Sequence, residues 1–320
     1  MPLPPLTEKY ATGVNVVTIG ATREEGGTRQ CSIKVGGAKT LPFMDVDGDK
    51  GLKPVIAMDV MDIVPEEWPE VLAKPFKDVW NDPGKWAKAC VEKYGADMIC
   101  VKLDGIDPDK GNRTPEQAVE TVKRVLDSVG CPLIVWGSEN DEKDNLVMPK
   151  VSQALRGERC LLGTAKEDNY KVITAVCLAD GHNLITLAPL DINLGKQVNI
   201  LVTDLEFPLD RIVMFQTTGA LGYGLEYAYT IQERQRLAAL TGDKMMMCPM
   251  ICDCGHESWR AKEAKASDED APQWGPQALR GPAWEAATAA VLVQSGADIL
   301  RMRHPDAVAA VKQLINQLWG

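Results

Sequence analysis

No stretch of this sequence clusters lysine with arginine, no apolar run is long enough to cross a membrane, and no second cysteine pair accompanies the one cysteine-rich segment. Each absence removes a class of function. Nucleic-acid backbones and anionic membranes are held by grouped basic side chains, whereas this chain sets 35 Lys and Arg against 45 Asp and Glu for a formal charge of −10. No nucleic-acid partner is expected. A spanning helix needs about 20 apolar residues, and the sequence offers none, so no membrane partner is expected either. The N-terminal MPLPPLTEKY lacks the basic flank and apolar core of a secretory leader; the expected location is the cytoplasm. A P-loop, an H-E-x-x-H helix and a Ser-His-Asp order are missing as well.

The 9 cysteines divide into two groups. Cys31, Cys90, Cys100, Cys131, Cys160 and Cys177 stand singly in apolar surroundings and read as reduced, small, buried hydrophobes. Cys248, Cys252 and Cys254 gather near His256, but the spacing is C-x-C-x-H and nothing completes a four-ligand set. Cys248 is expected within a strand, facing the core, and Cys252, Cys254 and His256 are expected to be polar loop residues just beyond its end, with no metal and no iron–sulfur cluster on this chain. His182 sits in DGHNL, which begins like the axial-ligand motif D-x-H-x-x-G, yet Ile185 occupies the final glycine position. A structural histidine is expected there. His304, ahead of Pro305, reads as a residue that opens a helix.

What the chain does have is a repeating strand-loop-helix unit, and 45% hydrophobic residues to give it a core. Short apolar runs without alternation mark strands covered on both faces: PVIAMDV (residues 54–60), ADMICVKLD (96–104), PLIVWGS (132–138), CLLGTA (160–165), NLITLAP (183–189), residues 212–215, residues 245–251 and ADILRMR (297–303). Helical patterns follow them. Thr114 and Pro115 give one helix its cap and first position, with Ala118, Val119, Val122, Val125, Leu126 and Val129 at helical spacing. Eight such units over the 320-residue chain predict an α/β fold, a (β/α)8 TIM barrel. An open doubly wound sheet would call for a glycine-rich phosphate turn after the first strand, and there is none. Residues 1–53 differ from this pattern: Val14, Val16, Val17 and Ile19, then Cys31, Ile33 and Val35, flank the turn TREEGGT. They predict an N-terminal hairpin-and-loop extension that either closes the bottom of a barrel spanning residues 54–320, the favoured reading, or docks a partner.

The candidate site lies where barrels build theirs, at the carboxyl ends of the strands. Asp59, Asp104, Glu139, Asn140, Asp191 and Asn193 fall at or just past strand ends, positions that helix caps also occupy. Asp191 reads as a cap. The stretch from residue 211 to 264 brings two such ends together, joined by a helix from Leu225 to about Leu240. Its first strand runs into TTGALGYG, where Gly219, Gly222 and Gly224 permit a sharp turn. Leu221 and Tyr223, set between glycines, are expected to offer apolar side chains on a mobile rim loop suited to a large flat ligand or a protein partner.

VGGAKTLPF, GCPLIVWGSENDEKD, PLDINLGKQVNIL, TTGALGYGLEYAY and PMICDCGHESWRAKEA, in this order over most of the chain, resemble the small subunit of the corrinoid iron–sulfur protein of the anaerobic acetyl-CoA pathway. The resemblance implies a barrel related to the folate-binding methyltransferases, forming a heterodimer with a large subunit that carries the 4Fe–4S cluster and the cobalamin-binding domain. It further implies a corrinoid shared between the subunits, which takes a methyl group from a methyltetrahydrofolate-dependent methyltransferase and delivers it to acetyl-CoA synthase. The cofactor-facing residues it suggests here are Thr217, Thr218, Gly219, Leu221, Gly222 and Tyr223, with Asp104, Ser138 and Asn140 on neighbouring rims. On this reading no side chain of the chain is catalytic. The competing readings are a free-standing pterin-dependent methyltransferase holding its pterin through Asp104 and Asn140, and a structural scaffold with an empty mouth.

Overall fold

The runs that form barrel strands are buried along nearly their whole length, and the period of two along them separates the barrel's interior from its wall. The structure, a computed structural model, describes residues 7–320. The first six residues of the stretch read for a leader lie outside it. Two short strands, β1 (Val16–Ile19) and β2 (Ile33–Gly36), precede β3 (Val55–Met61), β4 (Met98–Lys102), β5 (Leu133–Trp136), β6 (Leu161–Ala165), β7 (Asn183–Leu187), β8 (Ile212–Phe215), β9 (Ile251–Asp253) and β10 (Ile299–Met302). Helices α1 (Glu70–Ala73), α2 (Pro83–Glu92), α3 (Pro115–Ser128), α4 (Asp141–Ala154), α5 (Tyr170–Asp180) and α6 (Ile192–Thr203) fall between β3 and β8. Then come α7 (Leu225–Leu240), α8 (Cys254–Arg260), α9 (Lys262–Lys265), α10 (Gln277–Ser295) and α11 (Pro305–Trp319).

Strands β3 to β10 form one parallel sheet in the order β8-β7-β6-β5-β4-β3-β10-β9. It closes between β8 and β9, where Met214 pairs with Met250 and donates its N–H to the Pro249 carbonyl at 2.8 Å. The fold is therefore the expected (β/α)8 barrel. Ala57, Met98, Cys100, Ile134, Trp136, Leu161, Ile185, Val213, Ile251 and Ile299 fill the interior. The alternate positions, such as Ile56, Met58, Val101, Val135 and Leu300, face the helices.

β1 and β2 pair antiparallel as a hairpin, and Val17, Ile19 and Val35 pack into the same interior cluster at its lower end. Thr18 accepts a hydrogen bond from Asn183 Nδ2 at 2.8 Å, and Gly20 N–H donates to the Arg159 carbonyl at 2.8 Å. The bottom of the barrel is thus stoppered by apolar side chains, which leaves the carboxyl end as its polar face.

One strand lies elsewhere than expected. Residues 245–251 were to form the seventh barrel strand, but Lys244–Met246 is a single 3-10 turn capped by Asp243, and β9 begins only at Ile251. Pro249 accounts for the shift, since it has no N–H for a ladder. Cys248 consequently lies outside any strand, although its thiol is buried. Cys252 and Asp253 are part of β9, not of a loop beyond it, and Cys254 and His256 open α8.

Candidate functional site

At the carboxyl end the inward positions switch from apolar to charged within one strand period. Ala57 is followed by Asp59, Cys100 by Lys102, Ile251 by Asp253 and Ile299 by Arg301. Arg301, fully buried, lies at the centre. Its Nε and Nη2 donate to the two oxygens of Asp59 at 3.0 and 3.1 Å, and its Nη1 donates to Asp253 Oδ2 at 3.0 Å. The guanidinium also sits 4.1 Å over the Trp136 ring, a favourable contact for a planar cation. Arg303 adds a third donor to Asp59 at 3.0 Å.

A second group lies across the mouth. Lys102 Nζ donates to the Gly137 carbonyl at 2.7 Å and to Glu139 Oε1 at 2.9 Å, and stands 3.4 Å from Asp104; Lys110 pairs with the other Asp104 oxygen at 3.1 Å. Burial pushes the Asp104 carboxyl up, but Lys102 and Lys110 more than offset it and hold it below the usual carboxylate range. Asp59 behaves likewise: burial is outweighed by Arg301 and Arg303. Burial, then the cations Arg303, Arg301 and Lys102, push the His256 imidazole down to about 3. It is neutral, and its Nδ1, 3.6 Å from Asp253, has no hydrogen-bond partner among the described residues. The mouth is therefore a lattice of charges that largely neutralise one another, with no pair of free carboxylates poised for acid–base work.

The loops after β5, β7 and β8 are shaped by residues in the left-handed region, Glu139 at φ +77°, Leu190 at +50° and Thr217 at +61°. Non-glycine residues there are strained by about 1–3 kcal/mol and need surrounding support. For Glu139 the support is Asp144 of α4, whose carboxylate accepts from the Ser138 N–H, the Ser138 hydroxyl and the Glu139 N–H at 2.8, 2.9 and 3.1 Å.

The expected site residues fall into two sets. Thr218, Ser138, Asp104 and Asn140 are committed to holding the rim. Thr218 Oγ1 accepts from Asp253 N–H at 2.8 Å, tying β8 to β9; Ser138 binds Asp144; Asp104 binds its lysines; Asn140 caps α4 by accepting from Lys143 N–H. Asp191 caps α6, and His304 caps α11. His182 is fully buried, accepting from Cys160 N–H and facing the Ser152 carbonyl.

The TTGALGYG segment, expected to be a mobile rim loop, is tied to its surroundings by several contacts. Leu221 points into the wall, where its N–H donates to Thr288 Oγ1 at 3.1 Å and its carbonyl accepts from Trp284 Nε1 at 3.0 Å. Gly219 is pressed against the backbone of Gly224, so that a Cβ would meet it at 2.4 Å. The Tyr223 hydroxyl donates to Glu263 at 2.9 Å and accepts from Lys262 N–H at 3.1 Å. These bonds leave Gly222, Tyr223 (51% exposed) and, on the first turn of α7, Tyr227 (65% exposed) on a shelf at the rim. Arg280 connects that shelf to Trp274, since it donates to the Glu263 carbonyl and lies over the indole.

Arg301, Arg303 and Lys102 were not singled out by sequence. The signal was available: a basic residue inside ILRMR or MICVK has no solvent to face if the run is a barrel strand, and so has to meet an acid across the interior.

The nine thiols are all free. Burial pushes Cys248 and Cys254 far up and Cys252 to about 12, and Cys252 accepts a hydrogen bond from Gln232. Among the described residues no group of three His, Cys, Asp or Glu side chains converges as a metal site.

Solved structures with the same architecture are dihydropteroate synthases. That of Coxiella burnetii in complex with pteroic acid aligns over 85% of this chain and 96% of its own at a TM-score of 0.56 and 14% identity. That of Xanthomonas albilineans in complex with 7,8-dihydropteroate aligns over 84% and 94% at 0.55 and 12% identity. Likeness at this level concerns the fold alone. In sequence, the acetyl-CoA decarbonylase/synthase complex subunit delta of Archaeoglobus fulgidus is 39% identical over 99% of this chain and 71% of its own length. The corresponding subunits of Methanosarcina mazei and Methanocaldococcus jannaschii are 38% and 33% identical, over 98% and 97% of this chain and 72% and 75% of theirs. Residues 16–316 match the family described as CO dehydrogenase/acetyl-CoA synthase delta subunit, and with relatives of that name along almost its whole length the chain belongs to this delta-subunit family.

Proposed function

We propose that this chain is the small subunit of a heterodimeric methyl carrier, covering one face of a corrinoid held mainly by a larger, cluster-bearing partner. Its relatives are named as subunits of an acetyl-CoA decarbonylase/synthase complex, which makes partner subunits part of its working state. The observation that carries the reading is the self-neutralised mouth, in which Arg301 spans Asp59 and Asp253 while Lys102 engages Asp104 and Glu139. Such a surface can bind and shield: its carboxylates and cations are engaged with one another, and the His256 imidazole with its open Nδ1 is left for a hydrogen bond to a ligand.

The residues present fit a corrinoid and do not fit an iron–sulfur cluster. For the cluster, no set of cysteines converges among the described residues. For the corrinoid, the exposed rings of Tyr223 and Tyr227, the backbone of Thr217 and Gly222, and the neutral His256 imidazole with its open Nδ1 supply flat contact and hydrogen bonds to amide side chains. When bound, the corrinoid supplies cobalt chemistry that accepts a methyl group from a methyltetrahydrofolate-dependent methyltransferase and returns it to acetyl-CoA synthase. The chain's own residues orient the ligand edge and exclude water from it. Thr218, Gly219, Leu221, Asp104, Ser138 and Asn140 act behind this surface, keeping it in place. Because the TTGALGYG shelf is pinned at Leu221 and Tyr223, access for the methyl donor and acceptor comes from movement of subunits and not from opening of this loop. The proposed setting is the cytoplasm; among the described residues no helix is long and apolar enough to cross a membrane.

The test is Tyr223→Ala with Tyr227→Ala in the assembled heterodimer, following corrinoid absorbance after repeated desalting. Cofactor loss several-fold faster, with an unchanged circular dichroism spectrum, is expected. Equal retention would remove the shelf from the site. The alternative, a free-standing pterin methyltransferase relying on Asp104 and Asn140, is disfavoured because both are already engaged, by lysines and by the α4 N-terminus. Saturable binding of methyltetrahydrofolate to the isolated chain would favour it.

A further inference from the structure

Outside the barrel wall, between α2 and α3, a cleft of about 340 Å³ is lined by Asp62, Trp80, Arg113, Gln117, Glu120 and Arg124 among others. That volume is at the small end of the range for small-molecule sites, about 300–1,000 Å³. Its floor carries an unusual group. Asp62, immediately after β3, is 3% exposed; its Oδ1 accepts from Gly105 N–H at 2.7 Å, but its Oδ2 is buried with no partner among the described residues. A buried carboxylate oxygen left unpaired is costly, and such groups are uncommon without a reason. Gly105 leaves room for it: a Cβ there would stand 2.7 Å from Asp62 Oδ2 and 2.9 Å from Arg113 Cδ.

The walls narrow the chemistry. A simple cation would meet Arg113 and Arg124, while a simple anion would meet Asp62 and Glu120. Two arginines match a doubly charged phosphate by paired N–H donors; Arg113 lies near enough to act on the Asp62 charge, but its one hydrogen bond among the described residues is a long contact to Thr121 at 3.4 Å, and Arg124 stands 4.0 Å from Asp82. The unpaired oxygen of Asp62 asks for an N–H or O–H donor. We propose that this cleft binds a small phosphate ester carrying an amino or hydroxyl group, the phosphate meeting Arg113 and Arg124 and the donor meeting Asp62. This inference draws on no part of the corrinoid reading.

The test is calorimetric titration of the purified chain with O-phosphoethanolamine, inorganic phosphate and ethanolamine. O-phosphoethanolamine is expected to bind at least about ten-fold more tightly than inorganic phosphate, the ratio that one charge-assisted hydrogen bond can supply. Asp62→Asn, whose Oδ1 can still accept from Gly105, should bring the two within about two-fold of each other. Arg113→Ala should weaken both, and Arg124→Ala, on the exposed face of α3, gives the same reading if Arg113→Ala does not fold. Absence of saturable binding by O-phosphoethanolamine, or a preference for it that survives Asp62→Asn, would overturn the proposal.

Discussion

Replacing Arg301 by Met would remove the central cation of the mouth while keeping a side chain of similar length. Three charge-assisted hydrogen bonds disappear, two to Asp59 and one to Asp253, along with the contact over Trp136. Asp59 retains Arg303, but Asp253 is left buried beside a neutral His256. Removing one partner from a buried ionic group destabilises by about 3–5 kcal/mol. At roughly 2 °C per kcal/mol for a chain of this size, the thermal midpoint should fall by about 6–10 °C. The pH dependence gives a sharper check. In the parent, Asp59 lies below its unfolded value, so its contribution is present above about pH 4 and is lost as pH falls through that region. Burial already raises Asp253, with Arg301 the main opposing influence; removing Arg301 raises it further. The variant's penalty is thus full above the new Asp253 value and is relieved by protonation, so the gap between parent and variant narrows as the pH is lowered, here from pH 8 into the acid range. Calorimetric scans across that range provide the assay, and Asp59→Asn with Asp253→Asn in the Arg301→Met background should recover a large part of the loss. A variant melting within about 2 °C of the parent at pH 8, or a gap that does not change with pH, would refute the reasoning.

Two further outcomes follow from single contacts. Glu285 is buried beneath the β10–α11 turn and accepts from Arg303 N–H at 2.5 Å, Trp259 Nε1 at 2.6 Å and His304 N–H at 3.0 Å; Glu285→Gln sets an amide NH₂ against these donors and should lower stability by about 1–3 kcal/mol in denaturant titration. Gly219→Ala places a methyl group 2.4 Å from the Gly224 backbone, which has no flexible side chain to give way. It should cost about 1–3 kcal/mol, and faster hydrogen exchange over residues 219–224 would mark where the strain is relieved.

The barrel was legible because its strands are buried on both faces and its helices announce their starts. Thr114 caps α3 and Pro115 takes its first position as expected, with Gln117 completing a capping box, and the alternation between interior and wall repeats through β3, β4, β5 and β10. The seventh strand was misread because a run of methionines looks like a strand until Pro249 is weighed for the N–H it lacks. Site residues were harder for a reason built into the fold: a rim carboxylate or amide can cap a helix or meet a ligand with the same atoms. Asn140 and Asp191 do the former. The ionic lattice escaped notice because its members lie far apart in sequence, Asp59 and Arg301 at opposite ends of the barrel domain, and only closure of the sheet brings them to hydrogen-bond distance. The contacts that hold TTGALGYG were hidden for a related reason, since Thr288, Trp284 and Glu263 come from segments well downstream.

The central claim is that this barrel shields a corrinoid it does not hold alone. The direct measurement is absorbance titration of hydroxocobalamin into the isolated chain, into the large subunit and into their equimolar mixture. The account predicts no saturable binding by the isolated chain, and retention by the mixture of one corrinoid per pair, longer than by the large subunit by itself. Tight stoichiometric binding by the isolated chain, or retention by the large subunit that this chain leaves unchanged, would contradict it.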